Sequence, residues 1–63
     1  MVEDYITLGQ YLKLVEIIAS GGEVKNFLAH NTVLVNGQKE SRRGRKLRTG
    51  DTVTVGTKTY AVK

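Results

Sequence analysis

The pair Asn36-Gly37 directly follows the run Val33-Leu34-Val35, and it constrains the fold more than any other feature of the chain. Asparagine and glycine both tolerate positive φ, which a tight turn between two antiparallel strands requires. The apolar, mostly β-branched run before them is typical of a strand. The sequence therefore predicts a β-hairpin near the middle of a 63-residue chain.

Two further strands are predicted after this hairpin. Thr52-Val53-Thr54-Val55 alternates polar and apolar side chains, which is the pattern of a half-buried strand. Gly56-Thr57-Lys58 then turns the chain, and residues 59–62 form a last strand.

The segment before the hairpin predicts two short helices. Residues 8–18 carry apolar side chains at helical spacing, and Thr7 with Gln10 matches a capping box at the start. A second helix is expected after Gly21-Gly22, with Ser20 and Glu23 again at capping-box spacing. We expect it to end at His30-Asn31, where asparagine tolerates the left-handed conformation.

This order of elements predicts the α+β class, with two short N-terminal helices packed on a small antiparallel sheet. Residues 1–63 form a single domain, because a chain of this length cannot build two cores. The chain has no cysteine, which excludes disulfides and thiolate metal sites and favours a cytoplasmic protein. It has neither a signal-peptide pattern nor an apolar run of roughly 20 residues, so we expect no membrane association.

Residues 39–48, here called the basic segment, hold most of the positive charge. The segment contains six of the ten basic residues and a single acid, so it carries +5, while the rest of the chain carries −1. Concentrated charge of this kind is typical of a surface that binds a polyanion. The basic side chains of the segment are Lys39, Arg42, Arg43, Arg45, Lys46 and Arg48.

We interpret these arginines as phosphate ligands, because a guanidinium offers a planar fork of donors that matches phosphate oxygens. The alternative is a solvated loop whose charge only aids solubility, although charge for solubility is usually dispersed. The interpretation implies that alanine at Arg42, Arg43 and Arg45 abolishes most of the affinity for the polyanion and leaves thermal unfolding nearly unchanged.

Five stretches of the chain resemble, in the same order, the RNA-binding domain of ribosomal protein S4, also called the αL motif. The resemblance spans residues 6–55 and is closest to the small stand-alone bacterial members such as YaaA and YbcJ. The matching stretches are Leu12-Lys13-Leu14, Ser20-Gly21-Gly22-Glu23-Val24-Lys25, Val33-Leu34-Val35-Asn36-Gly37, Arg42-Arg43-Gly44-Arg45-Lys46-Leu47 and Gly50-Asp51-Thr52-Val53.

The resemblance implies a domain that binds structured RNA, often ribosomal RNA or a ribosomal subunit. We expect a monomer that needs no cofactor. It also implies basic residues facing RNA at Lys13 and Lys25, on the two helices. The chain departs from many relatives at Thr7-Leu8-Gly9-Gln10, where a basic run is usual. The basic segment is therefore expected to supply most of the affinity.

No pattern in the chain indicates catalysis or metal binding. His30 is the single histidine, and the acidic residues form no obvious pair on one face. Tyr11, Phe27 and Tyr60 fall on apolar faces and are expected in the core, while the place of Tyr5 is open. Without an aromatic platform, recognition by shape and phosphate contacts is favoured.

Three alternatives remain open at the level of sequence. The first is an adaptor whose basic face docks an acidic protein on a ribosome-associated factor. The second is a detached appendage of an RNA-modifying enzyme. Charge alone does not separate RNA from double-stranded DNA.

Overall fold

A computed structural model describes residues 5–63, and its strands form two antiparallel sheets. The larger sheet has the order β3-β2-β5-β6 and the smaller pairs β1 with β4. The chain thus has the α+β class predicted for it. The strands are β1 (Ile6–Thr7), β2 (Val33–Val35), β3 (Gln38–Lys39), β4 (Lys46–Leu47), β5 (Thr52–Val55) and β6 (Lys58–Ala61).

The predicted hairpin is confirmed at Asn36-Gly37. Both residues have positive φ, 53° and 82°, and the pair joins Val35 to Gln38 across β2 and β3. The Asn36 side chain adds a longer link, because its Oδ1 accepts from the Thr52 backbone N–H at 3.0 Å. The same residue that makes the turn therefore also fixes the start of β5.

Helix α1 (Leu8–Leu14) begins as predicted but ends four residues early. Thr7 and Gln10 form the capping box, and each side chain bonds the backbone N–H of the other. The prediction of a helix to residue 18 is wrong, because Glu16 turns left-handed with φ 63°. This reversal brings the chain back over the helix and buries Ile18 at 7% exposure.

The end of α1 is a Schellman motif. Glu16 N–H donates to the Lys13 carbonyl at 3.0 Å, and Ile17 N–H donates to the Leu12 carbonyl at 3.0 Å. These are the two bonds that define the motif, which usually has glycine at the left-handed position. Here glutamate occupies that position, so the helix end carries some backbone strain.

Helix α2 (Val24–His30) follows a short 3₁₀ turn, Gly21–Glu23. The capping box predicted at Ser20 and Glu23 is present, and Glu23 Oε1 also accepts from the Ala19 N–H at 2.7 Å. The left-handed conformation predicted for Asn31 is wrong, since its backbone is extended with φ −135°. Its side-chain amide instead donates to the Phe27 carbonyl at 3.0 Å.

Strand β1 precedes both helices and was not predicted. The expectation that the described elements begin with two helices is therefore corrected. Ile6 pairs with Leu47 and Thr7 pairs with Lys46, so β1 lies against the basic segment. A two-residue strand has no detectable period, and its partner is about forty positions away in sequence.

One apolar core joins both helices to both sheets. Its most deeply buried side chains are Leu8, Leu12, Val33, Val35, Leu47 and Val53. As predicted, Tyr11 lies in this core, and Phe27 and Tyr60 pack against it. Within residues 5–63 there is no helix of the length and apolar character needed to cross a bilayer.

The strained end of α1 generates a stability prediction. Glu16→Gly should raise the free energy of unfolding by about 1 kcal/mol, because glycine adopts positive φ without steric cost. In a domain of this size that gain corresponds to roughly 5 °C in the midpoint of thermal unfolding.

Glu16→Ala is the matched control for this substitution. It removes the same charge but keeps a Cβ in the left-handed conformation, so it should give little of the gain. Equal stabilisation by glycine and alanine would show that charge, and not backbone strain, is being relieved.

Candidate nucleic-acid interface

The basic segment is held by regular structure near both of its ends. Lys39 lies in β3, Lys46 and Leu47 form β4, and Leu47 is completely buried. Glu40 N–H donates to the Val33 carbonyl at 2.8 Å and so extends the pairing of β2 with β3. The segment is therefore a shaped loop of the fold.

The middle of the segment docks on the start of α1. Leu8 N–H donates to the Arg45 carbonyl at 2.8 Å, and Gly9 N–H donates to the Arg43 carbonyl at 2.9 Å. The first N–H groups of a helix have no partner within the helix, so the loop supplies acceptors that the helix needs. The basic segment thus packs against Leu8 and Gly9, in the stretch where many relatives carry basic residues and this chain does not.

Gly9 permits this close approach. A Cβ at this position would lie 3.2 Å from Val24 Cγ1 and 3.5 Å from Arg43 Cβ. The first of these distances is tighter than ordinary side-chain contacts, so a larger residue would push α1 away from α2. Gly9 therefore brings the start of α1, the start of α2 and Arg43 together.

Glu40 organises the loop from within. It is the buried charged residue among those described, with 9% exposure. Its Oε2 accepts from the backbone N–H of Ser41 at 3.1 Å and of Arg42 at 3.0 Å. The Arg42 guanidinium donates to both carboxylate oxygens, at 3.0 Å and 3.3 Å, and Arg45 Nη1 donates to Oε1 at 3.2 Å.

These contacts keep the carboxylate ionised. Hydrogen bonds from the Arg42 side chain and backbone lower the pKa of Glu40 from 4.5 to about 2, against a smaller opposing effect of burial. The hydrogen bond to Glu40 in turn raises the pKa of Arg42. The single acid of the basic segment is therefore an anion at neutral pH, and the loop folds around it.

Arg42 and Arg45 consequently have a structural task in addition to the predicted one. The Arg42 side chain remains 76% exposed and the Arg45 side chain 36% exposed, so both still face solvent. Removing them would leave the buried Glu40 carboxylate without its cationic partners, which is costly. The expectation that alanine at Arg42, Arg43 and Arg45 leaves unfolding unchanged is therefore replaced by an expected loss of stability.

The far end of the segment is fixed by Asp51. Its Oδ2 accepts from the Arg48 backbone N–H at 2.8 Å, and its Oδ1 accepts from Asn36 Nδ2 at 3.1 Å. Both bonds lower the pKa of Asp51, and the bond from the Arg48 backbone has the larger effect. Asp51 therefore links the basic segment to the hairpin.

Several of the predicted ligands line shallow surface grooves together. Lys25 and Arg43 line a groove of about 450 Å³ with Ser41, which places a side chain of α2 beside the segment. Arg42, Arg45 and Lys46 line another of about 450 Å³ around Gly44. All of these side chains except the half-buried Arg45 are exposed, as are Lys39 and Arg48.

Lys13 lies in different surroundings. It is exposed in the last turn of α1 and lines a groove with Glu16 and Glu23, whose charges oppose its own. The segment residues do not line that groove. These acidic neighbours therefore weaken the attraction that Lys13 can exert on an anion.

The polar residues that organise the surface were not identified from sequence. Glu40 stood out only as the one acid within a basic run, and no local pattern indicated that it is buried. Tyr5, whose role was left open, is 45% exposed, and Lys46 Nζ lies 5.0 Å from its ring centroid.

Comparison with known sequences identifies the family. The sequence model described as the S4 domain matches residues 1–63. The chain belongs to the S4 domain family. A similar relative is the probable ribosome maturation protein RlbA of Bacillus subtilis (strain 168), which is 54% identical over 52 residues. The aligned part covers 82% of this chain and 73% of the relative.

The Glu40 network of this S4 domain predicts a specific dependence of stability on pH. A carboxylate whose pKa is lower in the folded state contributes stability above its unfolded pKa and loses it as the pH falls. For Glu40 that loss should occur between about pH 4.5 and pH 2. Glu40→Gln should cost about 2 kcal/mol near neutral pH and flatten the pH dependence across this interval.

Urea unfolding of the wild type and of Glu40→Gln across this pH range measures the effect. Asp51 is present in both proteins, so its own titration cancels in the difference. Parallel stability curves for the two proteins would contradict the assignment of the acid-sensitive stability to Glu40.

Proposed function

We propose that this S4 domain is a non-catalytic protein that binds structured RNA, with ribosomal RNA or a ribosomal particle as its target. The observation that carries the proposal is the folded state of the basic segment, which presents its +5 charge on a loop held by backbone hydrogen bonds. Cations at fixed positions match phosphates whose spacing is itself fixed, as in folded RNA.

The side chains of the surface divide into two groups. Lys25, Lys39, Arg43 and Lys46 are exposed, and no bond of these side chains to an acid is seen within residues 5–63. They are the proposed phosphate ligands. Arg42 and Arg45 hold Glu40 and turn their remaining donors outward, so they combine positioning with contact.

Lys13 and Arg48 complete the proposed set of phosphate ligands, with smaller expected contributions to RNA affinity. The acidic neighbours of Lys13 reduce its attraction for phosphate, and the Asp51 carboxylate lies close enough to Arg48 for their opposite charges to interact. We expect both to contribute less than Lys25 and Arg43.

The biological setting is proposed from the relative. RlbA is described as a probable ribosome maturation protein, and 54% identity supports a related task on the ribosome for this chain. A monomer in the cytoplasm fits that task. Affinity would come from ionic contacts and specificity from the shape of the RNA, since the proposed ligands contact phosphates and not base edges.

Neutralising single cations should weaken RNA binding without unfolding the protein. With about four phosphates contacted, the plot of log K against log salt concentration should have a slope of about −3 to −4. Arg43→Gln and Lys25→Gln should each weaken binding and make the slope less steep by about one. Fluorescence titration of a ribosomal RNA fragment at several salt concentrations measures both.

Lys58→Gln is the matched control, because Lys58 is exposed at the start of β6 and the substitution removes the same charge. It should leave the slope nearly unchanged, and thermal unfolding should be unaltered in all three variants. Equal losses at positions 25, 43 and 58 would indicate general attraction to net charge and would contradict a defined surface. Tight binding that does not depend on salt would contradict the proposal as a whole.

A further inference from the structure

Two large apolar side chains are exposed among residues 5–63, and both line the same groove. Tyr5 is 45% exposed and Leu14 is 67% exposed. The groove between them measures about 700 Å³, and Ile6 and Val15 contribute further apolar lining. Exposed apolar side chains gathered in one depression indicate a binding site more strongly than scattered ones do.

Within residues 5–63, the charged residues that line this groove are basic. Arg48 and Lys63 line it, and Lys46 Nζ lies 5.0 Å from the centroid of the Tyr5 ring. None of the lining residues described is acidic. A ligand that contacts both the apolar and the basic residues of the groove therefore combines a flat apolar part with a negative charge.

The groove adjoins the basic segment through the small sheet. Ile6 pairs with Leu47 in β1 and β4, and the residues next to this pair, Tyr5 and Arg48, both line the groove. Lys46 precedes Leu47 in β4, and its Nζ lies over the Tyr5 ring. A molecule bound along the basic segment would reach the Tyr5 ring without leaving the protein surface.

We propose that this groove binds an unpaired nucleotide of the RNA, with its base stacked on Tyr5 and its phosphate facing Lys46. The proposal rests on the RNA-binding function proposed above and adds a base-binding site to it. A base has the required flat apolar face, and its phosphate supplies the charge that the groove attracts. Only a bulged, looped or terminal base is free to enter, because paired bases are hidden within the duplex.

An acidic protein segment would also satisfy the charge, but the observations favour a nucleotide. The basic segment borders the groove, because Arg48 lines the groove and Lys46 Nζ lies over the Tyr5 ring. A single RNA therefore occupies both surfaces, whereas a protein partner would have to bind beside RNA and compete for the same cations.

The test compares two RNA hairpins that differ at one position. One hairpin is fully paired, and the other carries a single bulged nucleotide replaced by the fluorescent base 2-aminopurine. The wild type should bind the bulged hairpin more tightly and quench its fluorescence. Tyr5→Ala should weaken binding of the bulged hairpin about tenfold and leave the paired hairpin nearly unchanged.

Two conservative variants separate stacking from simple apolar contact. Tyr5→Phe should keep the preference for the bulge, and Tyr5→Leu should lose most of it, while circular dichroism checks that each variant is folded. The inference is overturned if the wild type binds both hairpins equally, or if Tyr5→Ala weakens both to the same extent. Binding of neither hairpin would remove the RNA-binding proposal itself, so the two failures are distinguishable.

Discussion

The carboxylate of Glu40 is the interaction on which the proposed surface depends. It lies at the end of the β2–β3 hairpin, where its backbone is paired with Val33, and it gathers the loop N–H groups and the Arg42 and Arg45 guanidinium groups around it. Positive charges placed close together repel each other, and a buried anion between them offsets that repulsion. The net charge of the segment is lower by one because of Glu40, but the remaining charges acquire fixed positions.

Backbone hydrogen bonds also fix the basic segment at the start of α1. The N–H groups of Leu8 and Gly9 bind carbonyls of the basic segment, while the N–H group of Gln10 binds the Thr7 hydroxyl. A 63-residue chain has a small core, so hydrogen bonds of this kind do much to fix how its elements are arranged. The helix start is consequently unavailable to a phosphate, and the side chains of the docked loop are proposed to take that role.

The elements that local signals specify were predictable. The Asn36-Gly37 turn, the alternation of Thr52–Val55 and the capping boxes depend on residues at most a few positions apart, and the structure has all of them. The β1–β4 ladder and the burial of Glu40 depend on contacts between distant parts of the chain, so no local sequence pattern predicted them. The end of α1 was misplaced because Ile18 continues the helical spacing of apolar residues while belonging to the returning chain.

The same distinction applies to the candidate site. Charge density located the basic segment, and the family resemblance added Lys25, which the structure places in one groove with Arg43. The division of the arginines into Glu40-bound and outward-facing groups required the three-dimensional structure. So did the position of Tyr5 beside Lys46, because the two are brought together by the small sheet.

The most direct test of the central claim is the RNA affinity of Glu40→Gln at one fixed salt concentration, compared with Glu16→Gln. Both substitutions remove one negative charge, and Glu16 lies outside the basic segment. If Glu40 positions the loop, Glu40→Gln should bind a ribosomal RNA fragment more weakly than the wild type despite its higher net charge, while Glu16→Gln should bind equally well or slightly better. Tighter binding by Glu40→Gln would contradict the account, because it would mean that the quantity of positive charge matters and its arrangement does not.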